Sequence, residues 1–290
     1  MSIFPTKILL ATDGSEDAHL AARSAVNLAE GTGSELHVVY VAEHTVSTYY
    51  TEILEEAKRE ARELLDREVK QIEDYGGEVE EAHVRFSHPD EKIVTLAQEI
   101  GAGLIAIGSR GLSPVRRLLV GSVSGFVVRH AHCPVMVVRW KPMAFPANIL
   151  LASDGSEEAT LALQSAADLA QRTGSDLHLM TVAPDYPYVY DTYYNLRRAE
   201  EIERVRQEAQ RVLDEQVRKA GEAGASVAKS HLRVGAVDEE VVVLGEEEGV
   251  DLIVVGSRGL GGVRRALMGS VSDSVVRHAH CPVLVMRPEK

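Results

Sequence analysis

Ile8-Leu-Leu-Ala-Thr-Asp-Gly-Ser-Glu16 recurs as Ile149-Leu-Leu-Ala-Ser-Asp-Gly-Ser-Glu157, an offset of 141 residues. A second run, Val127-Val-Arg-His-Ala-His-Cys-Pro-Val135, returns unchanged as Val275 to Val283, an offset of 148. The chain of 290 residues is thus a duplication, and each copy is long enough to bury a core of its own. The expected division is a first domain over 1–141, a linker over 142–147 and a second domain over 148–290. Two prolines, Pro142 and Pro146, break periodicity in the stretch from Trp140 to Pro146. The seven residues gained by the second copy are expected near Pro184 to Tyr194, after a strand.

Each copy alternates short apolar runs with helical segments. Strands are predicted at Ile8–Ala11, Leu36–Val41, Leu104–Ile107 and Val135–Val138, and again at Ile149–Ala152, Leu177–Val182, Leu252–Val255 and Val283–Met286. A more polar strand is predicted at Glu78–Phe86 and at Ser226–Val234. Runs apolar on both faces suit a parallel sheet covered by helices. Ser15 and Ser156 are placed to cap helices reaching about Glu30 and Arg172, with Gly33 and Gly174 closing them. From Thr51 to Tyr75, Ile53, Ala57, Ala61, Leu64, Leu65 and Ile72 share one helical face under a charged outer surface. Five strands and four helices per copy predict an α/β fold: two tandem Rossmann-like domains, each an open doubly wound parallel sheet with helices on both faces.

Composition narrows the function. The chain is 45% hydrophobic and 26% charged, which argues against disorder and fibres. No stretch approaches the roughly 18 apolar residues of a membrane span, and no signal-peptide pattern opens it. Two cysteines, Cys133 and Cys281, are too few for a disulfide framework, and a cytoplasmic location is expected. The net charge of -13 divides evenly, with 15 basic and 21 acidic residues up to position 145, then 16 and 23. Neither half offers the basic face that binds duplex phosphates, so neither nucleic acid nor membrane is expected as a partner.

Ligands of such sheets sit beyond the carboxyl ends of the strands. There the first copy places Asp13-Gly14-Ser15, then Gly108-Ser-Arg-Gly111, nine residues, and Gly121-Ser-Val-Ser124. The second copy repeats the spacing in Asp154-Gly155-Ser156, Gly256-Ser-Arg-Gly259 and Gly269-Ser-Val-Ser272. In the resulting G-x2-G-x9-G-S signature, the first glycines are expected to admit a ligand or positive φ. The last glycine opens a helix whose free N–H groups attract an anion, and the hydroxyls of Ser122, Ser124, Ser270 and Ser272 are candidate phosphate donors. Ordinary turns and a helix cap explain the same glycines. Their placement between a strand and a helix favours phosphate. Neither the P-loop lysine nor a dinucleotide fingerprint is present.

With these motifs the sequence resembles the universal stress protein family in its tandem form, and the full glycine pattern resembles the family's ATP-binding branch. The resemblance implies strand order 3-2-1-4-5, an adenine nucleotide (ATP, with AMP or ADP as alternatives) at the switch point, and pairing through the last strand. That pairing would make a pseudo-dimer inside the chain, with a homodimer as a further expectation. It implies Asp13 beside base and ribose, and Val41 reading adenine. Gly108, Arg110 and Gly111 would line ribose and phosphates, and Gly121, Ser122, Val123 and Ser124 would hold the triphosphate. In the second copy the roles fall to Asp154, Val182, Gly256, Arg258, Gly259, Gly269, Ser270, Val271 and Ser272. The copies depart from one another at Gly103 against Asp251, Ser87 against Gly235, and Ser113-Pro114 against Gly261-Gly262, which weakens the expectation for the first site.

Other features have competing readings. His130, His132 and Cys133, with His278, His280 and Cys281, look superficially like metal ligands. Lacking a zinc spacing, they are expected to be structural. Arg116, Arg117, Arg264 and Arg265 are candidates for a γ-phosphate or for a solvated loop. Tyr186, Tyr188, Tyr190, Tyr193 and Tyr194 are candidates for a lid or for packing between domains. No catalytic constellation stands out. The expected function is a nucleotide-responsive stress or signalling protein. Slow ATP hydrolysis with Mg²⁺ on Asp13 or Asp154 is one alternative, and an interaction module with empty sites is the other.

Overall fold

The structure is a computed structural model that describes residues 3–43, 51–112, 120–139, 145–185, 192–259 and 268–287. In the first half the order is β1 (Lys7–Thr12), α1 (Glu16–Thr32), β2 (Glu35–Ala42), α2 (Thr51–Asp74), β3 (Glu81–Phe86), α3 (Pro89–Glu99), β4 (Leu104–Gly108), α4 (Ser122–His130) and β5 (Val135–Val138). The second half repeats it as β6 (Asn148–Ala152), α5 (Glu157–Thr173), β7 (Asp176–Pro184), α6 (Thr192–Glu222), β8 (Val227–Gly235), α7 (Val237–Glu247), β9 (Leu252–Gly256), α8 (Ser270–His278) and β10 (Val283–Met286). The apolar runs form buried strands for the expected reason. Leu104 to Ile107 and Val283 to Val285, for example, face helices on both sides and are essentially inaccessible.

Each half has the order 3-2-1-4-5, but the two sheets are not separately open. They join in one ten-stranded sheet, β3-β2-β1-β4-β5-β10-β9-β6-β7-β8. The seam is antiparallel, with Val283 opposite Val137, Leu284 opposite Met136 and Val285 opposite Val135. All other neighbours are parallel. One apolar layer lies between the sheet and α1, α2, α5 and α6, and the other between the sheet and α3, α4, α7 and α8. Two arginines cross the seam. Arg139, just past β5, donates through Nη1 to the carbonyl of Arg277 on α8 at 2.5 Å. Its counterpart Arg287 donates to the carbonyl of Val128 on α4.

Caps act where the sequence places them. The Ser15 and Ser156 hydroxyls each accept from the N–H three residues on at 3.2 Å, and Gly33 and Gly174 close their helices at φ of 68° and 70°. The extra seven residues are a correction. Helices α2 and α6 begin at positions related by 141 and end at positions related by 148, so α6 is 31 residues long against 24. The gain therefore lies within the helix rather than in the preceding loop. Seven residues are within about 20° of two whole turns, so the apolar face keeps its direction. Of the tyrosines there, Tyr186, Tyr188 and Tyr190 lie outside the described residues, and Tyr193 and Tyr194 fall in the first turn of α6.

The departures between copies also find physical reasons. Asp251 lies at the amino ends of the strands, where its carboxylate accepts the N–H groups of Ala147 and Asn148 at 2.9–3.2 Å. Burial nonetheless pushes this carboxyl up to about 6. In the first copy Thr6 occupies the equivalent space, and a Cβ on Gly103 would collide with its Oγ1. This pair is a clasp at the end of the sheet away from the glycine loops and carries no weight against the first site. At the carboxyl end of β3, Ser87 holds φ of 122°, a conformation that costs a side-chain-bearing residue about 1–3 kcal/mol. Its counterpart is Gly235. Ser87→Gly should therefore raise stability by about 1 kcal/mol, read as a higher denaturation midpoint at unchanged m-value.

Candidate functional site

The loops after β1 and β4 meet at the carboxyl end of the sheet. Asp13 leaves β1 and forms an Asx turn, its Oδ1 accepting Ser15 N–H at 3.0 Å. Its Oδ2 accepts Leu112 N–H at 3.1 Å, which ties the first loop to the end of the second. Ser15 Oγ donates to the carbonyl of Arg110 at 3.3 Å. Val41 lies one residue beyond Tyr40, the partner of Thr12, and so reaches the level of Asp13. In the second half Asp154 repeats the turn with Ser156 N–H at 3.0 Å, and Val182 takes the corresponding place on β7. The structure thus brings Asp13, Val41, Gly108, Arg110, Gly111 and the start of α4 to one end of the sheet, with their counterparts likewise in the second half.

The positive φ expected of the loop glycines is not found. None of Gly108, Gly111, Gly256 and Gly259 is among the glycines with positive φ. A Cβ on Gly108 would lie 2.7–2.9 Å from the backbone of Asp17 and Ala18, so this glycine lets α1 pack on the end of β4. On Gly111 or Gly259 a Cβ would collide with the Oδ2 of Asp13 or Asp154. They are close-approach glycines that shape the loops from within.

The third glycine does open a helix. Gly121 and Gly269 are the N-caps of α4 and α8, and among the described residues neither helix has a side-chain cap bond. The backbone N–H groups of Ser122, Val123 and Ser124, and of Ser270, Val271 and Ser272, begin these helices without intrahelical acceptors. Two hydroxyls are corrected. Ser124 Oγ donates inward to the carbonyl of Ser109 at 2.8 Å or of Gly121 at 3.2 Å, and Ser272 Oγ donates to the carbonyl of Gly256 at 2.6 Å. A hydroxyl has one proton to give, so these buried serines contribute backbone N–H rather than side-chain donors. Ser122 and Ser270 stand more open at the helix start.

The halves differ most at a position that the sequence pattern does not mark. In the first, Asp17 Oδ2 accepts from Ser109 Oγ at 2.8 Å, Arg110 N–H at 3.1 Å and Arg110 Nε at 3.4 Å. An internal carboxylate thus occupies the donors of the glycine loop. Its counterpart, one methylene longer, is Glu158. Among the described residues, Ser257 Oγ and Arg258 Nε are buried without hydrogen-bond partners. Buried donors of this kind are costly unless a ligand or water meets them. The two loops thus differ in how their donors are met among the described residues. The first is linked to its neighbour, because Arg139 also donates to Ser109 Oγ at 3.3 Å from the seam. A cavity of about 130 Å³ lies there between α4 and α8, with Gly121, Ser122 and Arg129 on one side and Asp273 and Arg277 on the other.

Ser113, Pro114, Arg116, Arg117, Gly261, Gly262, Arg264 and Arg265 lie outside the described residues. Within the histidine–cysteine runs, ring nitrogens meet backbone carbonyls. At the ends of α4 and α8, His130 Nδ1 is 2.9 Å from the carbonyl of Phe126, and His278 Nδ1 is 2.8 Å from the carbonyl of Ser274. His280 Nε2 is 2.9 Å from the carbonyl of Val250. Cys133 and Cys281 are buried free thiols, and burial pushes Cys133 up to about 12. Among the described residues no helix is long and apolar enough to cross a membrane.

Comparison with known proteins agrees with this architecture. The profile of the universal stress protein family matches residues 5–139 and again 147–287. A universal stress protein of Mycobacterium tuberculosis is 30% identical over 294 residues, covering 97% of this chain and 96% of that protein. Another from Mycolicibacterium smegmatis is 29% identical, covering 97% of each. The crystal structure of a universal stress protein from Archaeoglobus fulgidus superposes with a TM-score of 0.70 at 27% identity, over 97% of this chain and 98% of that one.

Proposed function

The chain belongs to the universal stress protein family, and we propose that it is a cytoplasmic ATP-binding member in which nucleotide occupancy signals through the paired halves. The observation that carries this reading is the second glycine loop, where, among the described residues, Ser257 Oγ and Arg258 Nε are buried without hydrogen-bond partners beside a helix start with no side-chain cap. Such a cradle fits a charged phosphate group. The N–H groups of Ser270, Val271 and Ser272 would hold the phosphates, with Gly269 admitting them and Arg258 adding charge. Gly256, Gly259, Asp154 and Val182 would line ribose and adenine. The first half offers the same set through Asp13, Val41, Gly108, Arg110, Gly111, Gly121, Ser122, Val123 and Ser124, but with Asp17 already on its donors. Bound ATP would supply the negative charge that these donors are placed to meet. Each Asp13 oxygen accepts one backbone N–H group and keeps a second lone pair, so the carboxylate could also meet Mg²⁺ brought with the nucleotide.

Freshly purified protein, denatured and analysed by chromatography, is expected to release adenine nucleotide. Release of none, together with no calorimetric signal on adding ATP to the folded protein, would overturn the proposal. Calorimetry of nucleotide-free protein is further expected to resolve a tighter site in the second half. Asp17→Asn removes the competing charge while retaining an acceptor, and should tighten the first site about tenfold. Equal affinities in the wild type would count against the role given to Asp17.

A further inference from the structure

Two histidines on neighbouring strands recur in both halves, and the nucleotide reading uses neither. His37 on β2 and His83 on β3 correspond to His178 on β7 and His231 on β8. The parallel register sets Val39 opposite His83 and His37 opposite Glu81, so the two rings share one face of the sheet. Both His37 and His83 are buried, at 3% and 6% exposure. His37 Nδ1 and His83 Nε2 face one another at 3.4 Å. That is long for a nitrogen–nitrogen hydrogen bond, but a tetrahedral ion with bonds of about 2.0–2.1 Å has a nitrogen–nitrogen edge of about 3.3–3.4 Å.

The outer nitrogens are also furnished. His37 Nε2 is 3.5 Å from Glu35 Oε2, and His83 Nδ1 is 3.7 Å from Glu81 Oε1. Glu35 behind His37 favours the tautomer that leaves Nδ1 free toward His83, while Glu81 lies close enough to His83 to serve as a donor. One ligand atom from each of His37, His83 and Glu81 lies within 4.8 Å of the others. We propose that the first half binds one zinc-type divalent ion between His37 and His83, with the exposed Glu81 as the third donor and water completing the shell.

The second half carries the same pair in a less favourable setting. His178 Nδ1 and His231 Nε2, the equivalent inner nitrogens, are buried without hydrogen-bond partners among the described residues. The site of Glu81 is taken by Lys229, whose Nζ lies 2.5 Å from Glu248, the carboxylate grouped with these histidines. A fixed cation beside the imidazoles opposes a second one. The second pair should therefore bind at least about tenfold more weakly.

The test is titration of the metal-stripped full chain with Co²⁺, read by its ligand-field spectrum, followed by displacement with Zn²⁺ against a chromogenic chelator. The wild type is expected to take one equivalent with a tetrahedral spectrum. His83→Gln should abolish it, and Glu81→Gln should weaken it about tenfold. Lys229→Glu should create a second equivalent. Glu81 is exposed, so its variant remains decisive even if His83→Gln does not fold, as judged by circular dichroism. Absence of a bound ion in the wild type, or binding unchanged in both first-half variants, would overturn the proposal. Neither outcome bears on nucleotide release, which uses other residues at the opposite ends of the strands.

Discussion

Gly269→Asp is expected to lower the nucleotide affinity of the second half at least about a hundredfold while leaving the fold intact. The residue is an N-cap with ordinary negative φ, and a Cβ there would meet nothing closer than the Ser257 carbonyl oxygen at 3.4 Å. Aspartate is itself a good N-cap, so the unliganded protein should be at least as stable as the wild type. The introduced carboxylate would accept the N–H groups that the phosphates require and would repel their charge. Losing even two charge-assisted hydrogen bonds is worth about 3 kcal/mol, which is more than two orders of magnitude in affinity. Calorimetry with ATP, paired with a thermal melt, separates loss of the site from loss of the fold. Gly121→Asp should act the same way on the first half, with a smaller absolute change if that site begins weaker. Retention of ATP by both variants would place the phosphates elsewhere.

Leu284→Asp is expected to destabilise the protein by at least about 4 kcal/mol, the range reached when a charge is buried without a partner. Leu284 is fully buried on β10 and stands opposite Met136 across the antiparallel seam. A carboxylate there would meet no cation from β5, since Leu284 shares its apolar layer with Met136 while Val135 and Val137 point to the other face. Leu284→Met preserves volume and apolarity and should cost less than about 1.5 kcal/mol. Denaturant unfolding of the two variants distinguishes burial of charge from mere change of shape. Similar midpoints would mean that the seam contributes little to the joint fold.

Much of this architecture is legible in the amino-acid sequence. Val135–Val138 and Val283–Met286 have the bounds their pattern predicts, because four consecutive apolar residues after a proline admit few other readings. Ser15, Ser156, Gly33 and Gly174 mark their helices through local chemistry that needs no tertiary context. The glycine loops are equally visible, but their internal purpose is not, because what a missing Cβ avoids depends on a distant segment such as Asp17 and Ala18. Asp17 and Glu158 look interchangeable in sequence, since both are acidic residues in a first helical turn. Only the packing of α1 on β4 shows that one reaches the loop donors. His37 and His83 escape notice for a related reason. They are 46 residues apart, and strand register is what brings them together. Their recurrence at the offsets of 141 and 148 is the signal that could have found them.

The antiparallel seam between β5 and β10 has a consequence for inheritance. Two identical subunits paired in this way would be encoded by a single coding segment, and every substitution would strike both sites at once. Here each half has its own coding segment while remaining held to the other at a fixed distance. One half can keep Asp17 on its loop donors while the other places Glu158 at that position, and neither change dilutes the pairing. Fusion therefore turns a symmetric pair into two loops free to diverge, as Asp17 and Glu158 have done.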